Sequence, residues 1–311
     1  MIFILLPRPD KPFSEFTSWD LIRIYTRTQN FSDAAKLVKV SRYTWCQAWY
    51  NAGLPSPKTT RIDNIESDLP RYSVAVISDM HWGSIYQQKT IFNSFIQDCL
   101  ERNIKYLIGM GDSIEGLMSR PNHEQSRFLH SIPEYEEYFL NNYPIFENSI
   151  LINGNHEVSL QKYQERYNFA KEMSEKRSDL TYVKQGTVIE GPGGVKICLH
   201  HGGGSCESRG ESRNRRMKNR TLQLMSEGSC APIMIFGHCH RISVLQNFMN
   251  AMVIGVGCFC APDEFTVSRF GSVDIAGLIL SYQVDENKHP INIKLDWRFA
   301  NEYGGIIKDD Y

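Results

Sequence analysis

Carboxylates, carboxamides and imidazoles recur along the chain in five short clusters: Asp79-Met80-His81, Gly111-Asp112, Gly154-Asn155-His156-Glu157, His200-His201-Gly202 and Gly237-His238-Cys239-His240. Their oxygens and neutral ring nitrogens are the donors that borderline divalent cations such as Mn, Fe(II) and Zn accept. Asp79 and His81 stand two apart, so on a strand both can face one side and turn toward the same ion. Asp112 has two oxygens and could bridge a second cation. Two ions about 3.5 to 4 Å apart acidify a shared water and stabilise the entering and leaving oxygens on phosphorus, which suits phosphate ester hydrolysis. Six of the nine histidines fall inside these clusters. His123, His130 and His289 belong to none and read as packed or solvated side chains.

The elements that carry the clusters follow from hydrophobic patterning. Tyr72 to Ser78 is a nearly continuous apolar run, as expected of a strand covered on both faces, and it ends at Asp79. Tyr106 to Met110, Ile150 to Ile152, Val195 to Leu199 and Ile233 to Phe236 repeat the pattern, each running into one of the polar clusters. Ile91, Phe92, Phe95, Ile96 and Leu100 recur at helical spacing and should cover the sheet. Strands alternating with helices make an α/β core, with the polar chemistry gathered at one edge of the sheet. Later strands ending near Phe259 and a hairpin from Leu278 to Phe299 are expected to complete a second sheet and part of the substrate wall. Gly202, Gly203 and Gly204 lack the G-K-[ST] that a phosphate-cradling loop requires, and a close backbone approach explains them better.

The ordered set D-x-H, G-D, G-N-H-E, H and G-H-x-H resembles the calcineurin-like metallophosphoesterases over roughly residues 72 to 260. That resemblance implies a four-layer αββα sandwich with two divalent metal ions, Mn2+ first, with Fe2+, Zn2+ or Ni2+ as alternatives. Asp79, His81, Asp112 and His240 would hold one ion. Asp112, Asn155, His201 and His238 would hold the other, with Asp112 shared. His156 would stabilise the transition state and protonate the leaving oxygen as metal-bound hydroxide attacks in line. Adjacent strand residues face opposite ways, so one of His200 and His201 reaches the metals. The resemblance selects His201, which stands immediately before a glycine.

Two further segments bear on the substrate. A helix from about Arg209 to Met225 would align Arg209, Arg213, Arg216 and Arg220 in a stripe able to track a phosphate backbone, or simply a solvated face beside Met217, Leu224 and Met225. Upstream, residues 13 to 52 read as three short helices, and Ser32 to Trp45 resembles a helix-turn-helix, with Ser32 and Ser41 as caps and Lys39 where glycine is usual. Trp45 and Trp49, four apart, should pack inward and leave Arg42, Tyr43 and Gln47 outward. The expected organisation is therefore a helical domain over 1–62, a linker over 63–71 and the catalytic domain over 72–311.

The formal net charge of −1 supplies no whole-molecule attraction to nucleic acid, so any such contact must be local. Eight cysteines without a C-x-x-C pair read as reduced thiols, Cys239 as a spacer and Cys258 and Cys260 as core residues, in a cytoplasmic protein without a membrane anchor. The leading expectation is a phosphodiesterase or nuclease acting on nucleic acid, with DNA favoured. Ser113-Ile114-Glu115-Gly116 follows Gly111-Asp112 in place of the Asp-Arg-Gly of serine/threonine phosphatases, which argues against the alternative of a phosphomonoesterase. A DNA-binding regulator with a structural metal site is the alternative of another class, disfavoured by the completeness of the ligand set.

Overall fold

The computed structural model describes residues 12–18, 20, 21, 24, 28, 31–52, 69–117, 123–202, 211–263, 266, 267 and 272–307. The chain divides into two compact units, Met1–Ser67 and Asp68–Tyr311. Residues 63–68 of the expected linker and most of residues 19–30 lie outside the described set.

In the first unit, helices α1 (Phe31–Leu37) and α2 (Arg42–Asn51) follow a short 3-10 turn at Phe13–Glu15. Leu21, Ile24, Ala34, Ala35, Trp45 and Trp49 form its buried core. Ser32 lies inside α1, which already begins at Phe31, whereas the Ser41 hydroxyl accepts from the Thr44 amide at 3.0 Å and caps α2. Between the helices Lys39 takes a left-handed backbone at φ 58, at a cost of about 1 kcal/mol. Arg42, Tyr43 and Gln47 are exposed.

The second unit runs β1 (Arg71–Ile77), α3 (Lys89–Glu101), β2 (Tyr106–Gly109), α4 (Ile132–Asn142), β3 (Asn148–Leu151), α5 (Asn155–Ser159), α6 (Phe169–Lys176) and β4 (Leu180–Tyr182). It continues β5 (Thr187–Glu190), β6 (Lys196–His200), α7 (Glu211–Ser226), β7 (Ile233–Phe236), β8 (Ser243–Phe248), β9 (Ala251–Gly255), β10 (Ala276–Val284) and β11 (Pro290–Phe299). One sheet has the order β11-β10-β1-β2-β3-β4, the other β5-β6-β7-β9-β8. Strands β1 to β4 are mutually parallel, as are β6, β7 and β9, so the chain leaves each of these strands at the same edge of its sheet.

Three apolar cores define the layers. Val74, Val76, Ile108, Leu278 and Leu280 of the first sheet meet Ile197, Leu199, Ile233, Ile235 and Ile254 of the second in a core between the sheets. Ala75, Ile77 and Leu107 pack on the other side against Ile91, Phe92 and Phe95 of α3, Tyr135 and Phe139 of α4, and Phe169 and Met173 of α6. Met217 and Leu224 of α7 cover Cys198, Met234 and Val253 on the outer face of the second sheet. The architecture is the four-layer αββα sandwich. Leu100, expected to cover the sheet, is 46% exposed because it falls in the last turn of α3.

The β10–β11 hairpin corrects one expectation. It joins the first sheet, not the second, with β10 antiparallel to β1 from Arg71↔Gln283 to Val76↔Leu278. Every residue of β10 is buried, and a strand covered on both faces needs the helix layer on one side and the second sheet on the other. Gly277 allows the approach of α3, since a Cβ there would stand 2.5 Å from the Phe95 ring.

Candidate metal centre

Each functional cluster sits where a buried strand ends. Asp79 follows β1, Asp112 follows β2, Asn155 follows β3, His201 follows β6, and His238 and His240 follow β7. Asp79, His81, Asp112, His238 and His240 have φ between 47 and 70. These left-handed conformations are costly for residues with a Cβ, though Asp and His tolerate them better than most. Backbone hydrogen bonds over-determine them: Asp79 N–H to Gly111 O, His81 N–H to Asp112 O and Trp82 N–H to Ser113 O are all 3.0 Å. Gly154 is required by proximity, since a Cβ at that position would lie 2.1 Å from Asp112 Oδ1.

The side chains converge. Asp79, His81 and His240 place donor atoms within 4.8 Å of one another, as do Asp112, His201 and His238, and also His81, Asp112 and His156. Asp112 Oδ1 accepts from the His156 amide at 2.8 Å, while its Oδ2 lies 3.0 Å from His201 Nε2 and 4.0 Å from His238 Nδ1. Asp79 Oδ2 accepts from the Ser78 hydroxyl and, at 3.0 Å, from the His238 amide. Its Oδ1 lies 3.3 Å from His240 Nε2, and the Nε2 atoms of His81 and His240 face each other at 3.0 Å. Asn155 Oδ1 is buried without a hydrogen-bond partner, and the equally buried Asp79 Oδ1 and His201 Nε2 meet only other donor groups of the cluster, His240 Nε2 at 3.3 Å and Asp112 Oδ2 at 3.0 Å. Buried polar atoms left without partners are costly, and so many aimed at one place fit divalent cations bound among them.

Electrostatics agree. Burial opposes ionisation of Asp79, but the charge and hydrogen bond of His240 overcome it and lower the pKa to about 2. Burial also disfavours protonation of His201, yet the adjacent Asp112 and Asp79 carboxylates raise its pKa to about 9. Without cations, protons take the place of positive charge among these carboxylates.

The Calcineurin-like phosphoesterase family profile matches residues 72–268. The chain belongs to this family. It is therefore a metal-dependent phosphoester hydrolase by family, with a dinuclear divalent-metal donor set. No curated protein matches it. Among solved structures, Vps29 of Entamoeba histolytica, complexed with zinc, aligns over 73% of this chain and 98% of its own, with 13% identity and a TM-score of 0.38. Vps29 of Chaetomium thermophilum aligns over the same shares with 11% identity and a TM-score of 0.38. A 5′-nucleotidase precursor of Thermus thermophilus aligns over 74% of this chain and 54% of its own, with 12% identity and a TM-score of 0.36.

The adjacent histidines of this phosphoesterase diverge. His201 donates its Nδ1–H to Met110 O at 2.6 Å and turns Nε2 to Asp112. His200 instead has the Gly202 amide 2.8 Å from Nδ1 and the Arg220 guanidinium 2.6 Å from Nε2, and its single lone pair accepts from one of the two. Arg220 also donates to Gln223, so its guanidinium is held on the helix surface by protein partners. Arg216 is half-buried; Arg209 and the side chain of Arg213 lie outside what is described.

Three residues escaped the sequence reading of roles. Glu157 is buried, and its carboxylate accepts from the amides of Asp112 (3.0 Å), Ser113 (2.6 Å) and Gly154 (2.7 Å), tying the loop after β2 to the loop after β3. Burial and the nearby Asp112 charge raise its pKa to about 7. Glu115 accepts from His81 Nδ1 at 2.8 Å and from His123 Nε2 at 2.6 Å, so His123 is a buried member of the site and not an isolated packed residue. Although burial opposes its ionisation, these imidazoles hold the Glu115 carboxyl well below the usual carboxylate range. His123 lay too far along the chain from any motif for spacing to reveal it. Among the described residues six cysteines carry free thiols, and Cys258 and Cys260 are buried. Cys239 departs from the expectation of reduced thiols, because it is disulfide-bonded. Among the described residues, no helix is long and apolar enough to cross a membrane.

Proposed function

We propose that this chain is a dinuclear metal-dependent phosphodiesterase acting on nucleic acid, DNA above RNA. The observation that carries the reading is the gathering of the Asp79–His81–His240 and Asp112–His201–His238 donor groups, joined by the close approach of His81 and Asp112, with Asn155 Oδ1 buried and unpartnered. Asp79, His81, Asp112 and His240 would hold one ion, and Asp112, Asn155, His201 and His238 the other, Mn2+ being the first candidate. Bound divalent cations supply Lewis acidity and charge neutralisation at the phosphoryl oxygens.

The chain's own groups then orient and move protons. His156 donates its Nδ1–H to the Glu115 carbonyl at 2.6 Å, which leaves Nε2 as the ring nitrogen for the leaving oxygen. Burial lowers its pKa to about 4, so it is neutral at pH 7 until the negative charge of a bound phosphate favours the imidazolium. Diesters are favoured because the residue three after Asp112 is the buried carboxylate Glu115; an arginine at that segment would be needed to grip a monoester dianion. Nucleic acid is favoured by the exposed Arg42, Tyr43 and Gln47 on α2, a guanidinium, a ring and an amide of the kind that contact phosphates and bases. Arg209, Arg213 and Arg216 are further candidates for phosphate contact, and the cytoplasm is the expected setting.

The deciding experiment is a screen of the Mn-reconstituted protein against bis-p-nitrophenyl phosphate, p-nitrophenyl phosphate, nucleotides and single- and double-stranded DNA and RNA. Turnover of the diester and cleavage of a polynucleotide are expected. Faster turnover of a monoester or phosphopeptide would overturn the diester assignment, and intact polynucleotides in every form would overturn the nuclease assignment.

A further inference from the structure

Glu115 lies outside the five sequence clusters, yet its three acceptor oxygens each meet an imidazole nitrogen. Oε2 accepts from His81 Nδ1 at 2.8 Å, Oε1 from His123 Nε2 at 2.6 Å, and the carbonyl from His156 Nδ1 at 2.6 Å. The residue is held in turn by its amide, which donates to Trp82 O at 2.8 Å, and it is 3% exposed. Behind His123, the Arg127 guanidinium donates to Nδ1 at 3.4 Å, so the proton of that ring stands on Nε2, toward the carboxylate. Glu115, His123 and His156 have donor atoms close enough to suggest another cation site. The hydrogen bonds argue otherwise, since both carboxylate oxygens face N–H groups and His156 Nδ1 is committed to a carbonyl.

We propose that Glu115 is a positioning residue that sets the tautomers of His81 and His156 together, so that both rings present Nε2 to the phosphoryl site, with His123 and Arg127 steadying its carboxylate. A neutral imidazole has one proton and two nitrogens. A carboxylate on Nδ1 draws the proton there, leaves the lone pair on Nε2 and makes it a better donor to a cation. The backbone carbonyl of the same residue does this for His156. One short segment after Asp112 therefore orients a metal donor and the leaving-group histidine, whose rings meet edge to face with centroids 4.5 Å apart. The inference rests on the assignment of His81 as a metal donor made above.

The test uses the full-length protein and two readouts other than turnover. In the metal-free wild type, long-range 1H–15N correlation at pH 8 should show His81 and His156 as Nδ1–H tautomers. In Glu115→Gln the amide cannot accept at both positions. His81 should shift toward Nε2–H while His156, held by the unchanged carbonyl, keeps its tautomer. Affinity for one of two Mn2+ ions, measured by chelator competition, should fall about 10- to 100-fold, with the other less affected. His123→Gln, which keeps an amide N–H for Oε1, should restore most of the affinity that His123→Ala loses. If Glu115→Gln does not fold by circular dichroism, Glu115→Asp keeps the charge, withdraws it by one methylene and carries the same readouts. An unchanged His81 tautomer with two ions bound at wild-type affinity overturns the proposal. A wild type that binds no cation instead sinks the proposed function, and the two failures are thus separable.

Discussion

His156 lies within the donor cluster but has its Nδ1 committed to the Glu115 carbonyl, so its removal should spare metal binding and strike turnover. His156→Ala is expected to keep two bound ions and lose about 10²- to 10⁴-fold in kcat on bis-p-nitrophenyl phosphate, the usual span for a proton-transfer group. Loss of metal together with activity would instead make it a ligand. His201 gives a pH prediction. Its pKa of about 9, raised by the adjacent carboxylates against the opposing effect of burial, keeps it protonated in the metal-free protein at pH 7.5. A cation must displace that proton, so calorimetry in buffers of different ionisation enthalpy should record release of about one proton from this site, and affinity should climb as pH rises toward 9. Without metal, this proton contributes stability that is complete below the unfolded pKa of about 6.5 and is lost as pH rises through about 9. The motif residues could be read in the chain because their types and order are constrained by the ions they face. Glu115 and His123 could not, because their pairing is a through-space contact that leaves no motif spacing to detect.

The loops that bear the ligands are as tightly specified as the ligands. Gly154→Ala would push a methyl group into Asp112 Oδ1 and the Asp112 amide. The loop after β3 must then retreat, and we expect metal affinity to fall at least tenfold, with a Tm lower by several degrees; a variant that binds two ions normally would show the loop to be more compliant than the contact implies. Glu157 joins the same two loops through main-chain amides, and Glu157→Ala should cost about 1 to 3 kcal/mol in urea unfolding as buried donors lose their acceptor. The buried strands were legible because a run covered on both faces must be apolar throughout: Tyr72 to Ser78 foretold β1, and Ile233 to Phe236 coincides with β7. The sheet assignment of β10 and β11 was not legible. An apolar strand declares that both its faces are covered, but not which neighbour supplies its hydrogen bonds.

The two units give separable expectations. Arg42 and Tyr43 are exposed on α2, away from the Trp45 and Trp49 core of their own unit. Arg42→Ala with Tyr43→Ala should therefore weaken polynucleotide binding and flatten its salt dependence by about one unit of slope, with bis-p-nitrophenyl phosphate turnover unchanged. Unaltered polynucleotide affinity would remove the helical unit from the interface. The pairing of β1 with β10 also has a consequence for how the molecule is made. Residues 71–76 take their outer partner from residues 278–283, so during synthesis on the ribosome the first strand of the sandwich waits, open along one side, until β10 emerges. Asp79 lies just beyond that strand, and its surroundings are completed by Phe259, whose amide reaches the Asp79 carbonyl. The cation pocket thus waits on segments made long after Asp79, and a nascent fragment stopped before residue 276 carries an unpaired edge along β1.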